Sequence, residues 1–241
     1  YGGIMLQVIT GKPGSGKTFH TLRLLVKDLA DWVRYEEETG EEFGRKLYTN
    51  LPVNPDAIGE YLKKKHGFKV DAAKYIVPLE LRGFWWDEVP HGSLIAVDEV
   101  HEHLGNEQDS RGMLVEFRNY VATHRHRRHD IIMITQHIEN VSIEVLRIAE
   151  AVLDIANVKS MRLPLLNIPM GDIDVVRRAF GSVTQCYRVN NGRVVGRAIK
   201  WENGVDTNFI TPDLFPLYNT HSAAGGDGAS SDRPVLKLSR R

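Results

Sequence analysis

The chain has 241 residues, 42% of them hydrophobic and 26% charged, and its 31 basic side chains balance 31 acidic ones to a formal charge of zero. That suits one core-sized domain with appendages, and it gives no overall field for nucleic acid or anionic lipid, so contact with either needs a local patch. The single cysteine, Cys186, excludes an intramolecular disulfide and a cysteine-built zinc site, as expected in a reducing cytosol.

Tyr1-Gly2-Gly3-Ile4 precede Met5, the expected native start, and read as a tag remnant. The apolar run over residues 5–10 predicts a buried strand. It leads into Gly11-Lys12-Pro13-Gly14-Ser15-Gly16-Lys17-Thr18, a full phosphate-binding loop between a strand and a helix. Glycines at this spacing let successive backbone N–H groups face phosphates at the positive end of the following helix. Gly11, Pro13, Gly14, Ser15, Gly16, Lys17, Thr18 and Phe19 are therefore the expected ATP-binding residues, with Lys17 reaching the β- and γ-phosphates and the Thr18 hydroxyl on Mg²⁺.

Phe19, Leu22, Leu25, Val26, Leu29 and Val33 recur at helical spacing, which predicts a core-packed helix from residue 17 to about 34. Residues 47–51 read as a short strand closed by Pro52, residues 57–66 as a helix and 75–77 as another strand. Strand, helix, strand in this order predicts a parallel sheet. Phe84-Trp85-Trp86 reads either as a plug for the sheet edge or as a partner-binding patch, with Arg82 beside it.

Residues 93–97 form a second apolar run, ending in Asp98-Glu99 at the strand edge where open α/β sheets bind ligands. Asp98 is expected to hold Mg²⁺ with Thr18, and Glu99 to polarise the water that attacks the γ-phosphate. Two such motifs predict a P-loop ATPase. Residues 114–123 then read as a helix, 131–135 as a buried strand ending at Gln136, and 151–155 as a further strand. Gln136 is placed to sense the γ-phosphate if its strand lies between the two motif strands; otherwise it merely ends the strand.

Between helix and strand lies the basic run Arg125-His126-Arg127-Arg128-His129. Arg125, Arg127 or Arg128 could act as an arginine finger on a neighbouring subunit's nucleotide, grip DNA phosphates, or simply be a solvated helix end. His101, His103, His124, His126, His129 and His137 are read as surface or supporting histidines, since a metal needs three or four converging ligands. Beyond about residue 157, Pro164 and Pro169 interrupt an apolar segment, and residues 186–199 read as a β-hairpin around Asn190-Asn191-Gly192, an add-on to the sheet. Residues 219–241 look like a flexible linker ending in Lys237, Arg240 and Arg241. The expected architecture is thus an α/β, RecA-like P-loop NTPase of the catalytic-glutamate type, with a mainly parallel sheet flanked by helices. Residues 5–157 form its core, 158–218 a small hairpin extension and 219–241 the tail.

With both motifs in place, the chain resembles the cytoplasmic domain of the zonula occludens toxin family, the gene I type morphogenesis ATPases of filamentous phages. The resemblance rests on residues 11–18, Tyr48-Thr49-Asn50-Leu51, residues 94–99 and above all Thr123-His124-Arg125-His126, Asp130 and residues 131–136. It implies an oligomeric ATPase, with subunits arranged in a ring, at the cytoplasmic face of the inner membrane. Such a motor extrudes phage through the envelope, exchanging a DNA-coating protein for coat protein on single-stranded DNA. Members of the family typically carry a membrane helix after this domain. No uncharged stretch here approaches the ~18–20 residues of such a helix, and the linker with Arg240-Arg241 would suit a chain cut just before one. A helicase is a rival reading because Asp98-Glu99-Val100-His101 also spells a helicase box, though too little chain follows for a second RecA-like domain. A scaffold that binds nucleotide without hydrolysing it is another.

Overall fold

The computed structural model describes residues 6–99, 110–157, 173–180, 186–190, 193–198, 206–209 and 212–218. Six strands run parallel: β1 (Leu6–Thr10), β2 (Leu47–Thr49), β3 (Ile76–Pro78), β4 (Leu94–Asp98), β5 (Asp130–Thr135) and β6 (Ala151–Asn157). Two more, β7 (Ile173–Phe180) and β10 (Asp206–Phe209), add antiparallel beyond β6. The sheet order is β10-β7-β6-β1-β5-β4-β2-β3. The strand that ends at Gln136 therefore lies between the two motif strands, as the glutamate-type reading requires.

The parallel strands are nearly continuous apolar runs because both faces are covered. Side chains alternate: Ile9, Leu94, Ala96, Ile132, Ile134 and Leu153 point into one core, and Val8, Ile95, Val97, Ile131, Met133 and Val152 into the other. The first core is closed by α1 (Lys17–Thr39) and α2 (Pro55–His66), the second by α3 (Ser110–Thr123), α4 (Ile143–Ile148) and the Trp85–Trp86 pair. Helix α1 extends past the predicted end to Thr39 and stops where Gly40 takes a left-handed φ of 72°. Asn54 caps α2 by accepting from Ala57 N at 3.3 Å, with Pro55 opening the helix.

The structure decides or sharpens three expectations. Among the described residues, the hairpin of β8 (Cys186–Asn190) and β9 (Arg193–Ala198) pairs only with itself, while β7 and β10 extend the main sheet. Trp85 and Trp86 are 1% and 2% exposed, stacked among Phe117 and Tyr120, so they are core; Phe84 alone projects outward. His124 and His129 are fully buried, not on the surface. The His129 ring nitrogens meet the Tyr120 hydroxyl and Pro90 O, both at 3.0 Å, and His124 Nδ1 meets Val121 O at 2.6 Å. The His129 ring fastens the α3–β5 turn to the loop before β4, while His124 bonds back to the last turn of α3. Residues 1–4, His101, His103, Pro164, Pro169 and the 219–241 tail lie outside the described residues, and among those described no helix is long and apolar enough to cross a membrane.

Candidate active site

The loop between β1 and α1 is shaped by one close approach. A Cβ on Gly11 would stand 2.3 Å from the Ile155 carbonyl oxygen of β6 and 2.6 Å from Ser15 Oγ, and the residue has a φ of 151°, so only glycine fits. Ser15 N donates to Lys12 O at 3.0 Å, closing the turn, and Gly16, with a φ of 94°, starts α1 with no side-chain cap. The uncapped helix start leaves amides directed at the loop, where an anion is favoured. Pro13 and Gly14 form its exposed crest, and Ser15 Oγ is buried with no hydrogen-bond partner among the described residues. Phe19 packs its ring on the α1-side core, leaving its backbone as the group it can offer a phosphate.

Lys17 is 9% exposed and its ammonium donates to Gly11 O at 2.7 Å and Lys12 O at 3.2 Å. Burial pulls its pKa below the usual lysine range, while the nearby carboxylates of Asp98 and Glu99 act to raise it. The ammonium thus rests on loop carbonyls, with two negative groups within electrostatic reach. Those carboxylates stand at the end of β4, and Asp98 Oδ1 and Glu99 Oε2 are both shielded from solvent. Glu99 has a φ of 50°, a left-handed conformation costing about 1–2 kcal/mol for a residue with a Cβ, and its N–H is held by Ile134 O at 3.1 Å. The chain therefore leaves the strand abruptly where the two carboxylates are needed.

Sequence reasoning gave no role to two residues at this site. Pairing between β2 and β4 ends at Thr49–Ala96, and the Asn50 side chain continues it: Oδ1 accepts from Asp98 N at 2.8 Å and Nδ2 donates to Asp98 O at 2.9 Å. Asn50 therefore fixes the peptide that carries the carboxylate. An Asn directly after a short strand was the available signal. Tyr218, two hundred residues from the loop, shares a hydrogen bond with the Thr18 side chain and is within electrostatic reach of the Asp98 carboxylate. Nothing local in the sequence announces it.

The site fits a nucleotide and Mg²⁺. It offers a glycine cradle, a buried lysine cation on the loop, and the Thr18 hydroxyl and Asp98 carboxylate as oxygen donors, both acting on Tyr218. An oxygen-only pair suits a small hard cation that keeps waters and takes its remaining ligands from phosphates. Among the described residues no group of three or more His, Cys, Asp or Glu could hold a metal by itself. Gln136 follows β5, half-buried, between the loop strand and the carboxylate strand.

The arginines are elsewhere. Arg125 pairs with Glu150, which also accepts from Leu6 N, at the start of β1 and β6, the sheet edge opposite the phosphate loop. Arg127 binds Asp87 at 2.7 Å and Trp86 O at 3.1 Å, and its guanidinium carbon lies over the Tyr120 ring, 5.5 Å from the centroid. Arg128 is exposed, with no ion pair among the described residues. Within one chain, none of the three reaches the loop.

Residues 5–171 match the family model described as zonular occludens toxin (Zot). The ORF301 protein of Pseudomonas phage Pf3, named as a candidate assembly protein, is 31% identical over 134 residues, 55% of this chain and 36% of that protein, so the chain spans about a third of its length. Among solved structures, the N-terminal domain of zonular occludens toxin from Neisseria meningitidis aligns with 90% of this chain and 100% of its own, at 19% identity and a TM-score of 0.49. The genome packaging NTPase B204 from Sulfolobus turreted icosahedral virus 2, in complex with AMPPCP, aligns with 64% of this chain and 75% of its own, at 14% identity and a TM-score of 0.43. Because the family match runs unbroken through the phosphate loop, the Asp98–Glu99 edge and the strand between them, the chain belongs to the zonular occludens toxin (Zot) family.

Proposed function

We propose that this chain is the ATP-hydrolysing motor of a phage-assembly system. The observation that carries the reading is the convergence of Lys17, Thr18, Asp98 and Glu99 at one end of the adjacent strands β1, β5 and β4. The kinship with the Pf3 protein supports the phage setting.

Backbone amides of residues 14–18 bind the phosphates, and Lys17 leaves its carbonyl partners for the β- and γ-phosphate oxygens. Thr18 and Asp98 hold Mg²⁺, which when bound neutralises charge on the phosphates. Glu99 orients a water and accepts its proton as the water oxygen bonds to the γ-phosphorus and the bond to the ADP oxygen breaks. Gln136 senses the γ-phosphate. The motor works as a homo-oligomeric ring at the cytoplasmic face of the inner membrane, a neighbouring subunit's arginine completing the site. Its substrates in assembly are phage coat protein and the single-stranded DNA complexed with its binding protein.

Titration with a fluorescent ATP analogue tests the core of this reading. Lys17→Ala is expected to weaken binding at least tenfold while the protein melts within a few degrees of the parent. Equal affinity in the two proteins would remove the phosphate-loop assignment.

A further inference from the structure

Residues 61–70 hold four lysines and no carboxylate, in a chain whose formal charge is zero. Lys63, Lys64 and Lys65 are exposed at consecutive positions in the last turn of α2, so they fan around the helix end. The chain turns at Gly67, where φ is 80°, and runs back along the helix. Gly59 permits that return: a Cβ there would stand only 3.0 Å from Val70 O, and the close approach sets exposed Lys69 in one groove with Lys63. Lys63 lies 3.8 Å from Glu60, and Lys65 donates to the Tyr61 hydroxyl at 2.6 Å, whereas Lys64 and Lys69 have no ion pair among the described residues. Amid these cations the exposed His66 ring stacks on buried Phe68, with centroids 5.6 Å apart and planes 13° from parallel, so one face is backed and the other is open.

We propose that Lys64, Lys65, His66 and Lys69 form a docking surface for single-stranded nucleic acid. Lysines near a helix C-terminus also offset the macrodipole, but that accounts for neither Lys69, outside the helix, nor a backed flat ring among them. A single strand uses both features, its phosphates meeting the cations and an unpaired base stacking on the ring. An anionic lipid surface would attract the same lysines, yet the patch has nothing to insert: among the described residues the exposed large apolar side chains are Phe84 and Val115, on the side of the second core. The basic run after α3 is a poorer candidate, because Arg125 and Arg127 are already paired with Glu150 and Asp87. Helix α2 leaves β2 beside Asp98 and runs back against the strands, so this surface lies at the edge opposite the phosphate loop. It is the contact surface for the DNA substrate of the motor reading above, and it rests on that reading for the identity of the strand.

The test is fluorescence anisotropy with a labelled oligodeoxythymidylate of about 20 nucleotides, longer than one such patch spans, titrated at several salt concentrations. At about 0.1 M salt the triple variant Lys64→Ala/Lys65→Ala/Lys69→Ala should bind about 100-fold more weakly than the parent, with a log–log salt slope shallower by about two, since each lost phosphate contact removes about 0.7. His66→Ala should bind at least about fivefold more weakly with the parent's slope, and Arg128→Ala should bind like the parent. All variants should melt within a few degrees of the parent. Equal binding by the parent and the triple variant, a loss seen with Arg128→Ala instead, or lysine-dependent binding to phosphatidylglycerol vesicles with none to the oligonucleotide would overturn the surface. ATP hydrolysis measured on the same samples keeps the two readings apart: turnover without oligonucleotide binding would remove the surface and leave the motor, and lysine-dependent oligonucleotide binding without turnover would do the reverse.

Discussion

Replacing Asn50 by alanine is predicted to slow hydrolysis without weakening metal-free nucleotide binding. The side chain makes two hydrogen bonds to the Asp98 peptide, at 2.8 and 2.9 Å, and none to the phosphate loop. Each is a neutral bond with a net worth of about 1 kcal/mol, reduced here because Asn50 is exposed and water can replace it. A stability loss of roughly 1–2 kcal/mol follows, seen as a fall in Tm of about 4 °C. The larger effect is geometric. The Asp98 peptide also leads into Glu99, which is held at a φ of 50°, so freeing it lets both carboxylates drift. Misplacing catalytic or metal-supporting groups by a fraction of an ångström typically costs 10- to 100-fold in rate. Phosphate release at saturating ATP should fall by about that factor, the Mg²⁺ requirement should rise, and affinity for ATP in EDTA should stay within about twofold. Asn50→Asp keeps the acceptor for Asp98 N, loses the donor to Asp98 O and adds a third carboxylate, so it should be at least as slow. An alanine variant with parental turnover, or one that loses metal-free ATP affinity in step with turnover, would refute the assignment.

Gly11→Ala should abolish nucleotide binding and lower Tm sharply, because a Cβ 2.3 Å from Ile155 O forces the loop away from β6; parental binding would show that the approach is not needed. Arg127→Ala should cost about 1–2 kcal/mol of stability through Asp87, Trp86 O and Tyr120, whereas Arg128→Ala should melt like the parent. A turnover loss confined to Arg128→Ala, rescued by mixing with a Lys17→Ala subunit that retains its arginine, would mark it as the residue acting between subunits. Stability should also carry two opposing pH slopes. Burial pushes His129 down to about 4 from 6.5, so between those values the unfolded chain takes up a proton the native one refuses, and stability falls on acidification. Burial, with the Asp130 carboxylate second, pushes Asp28 up to about 6 from 3.8, so in that window the native state holds the proton and stability rises on acidification. Each slope is at most about 1.4 kcal/mol per pH unit, and they oppose one another where the windows overlap. Asp28→Asn should expose the histidine slope, with thermal melts dropping more steeply than the parent's from pH 6 to 4.5; parallel curves would contradict this.

What the sequence made legible was local. The phosphate loop, the carboxylates after an apolar run and the core face of α1 are each written in contiguous residues, because a loop that must curl and a helix that must bury one side constrain their own composition. The order of β1, β5 and β4 was legible only through the catalytic-glutamate ATPase pattern that the two motifs invoke, since apolar runs do not name their neighbours. Asn50 was hidden because its work is to copy a backbone pairing that exists only once β2 lies beside β4. Tyr218 was hidden for the same reason at longer range, since it reaches Thr18 through the docking of Leu214 and Leu217. The histidines misled because a polar ring beside basic residues looks solvated, and only the α3–β5 turn shows His124 and His129 to be filling a core, with both His129 nitrogens and His124 Nδ1 satisfied by a hydroxyl and carbonyls. Arg127 reads as an exposed cation in the chain but closes that same turn.

The most direct test of the motor reading is ATP hydrolysis by the purified chain across a wide range of protein concentration, with Mg²⁺, with and without single-stranded DNA, beside Lys17→Ala and Glu99→Gln. The account predicts specific activity that rises steeply with concentration, is lost in both variants, and leaves Glu99→Gln still binding ATP and held in its assembled form. Turnover unaffected by Glu99→Gln, or specific activity flat across the concentration range, would contradict it.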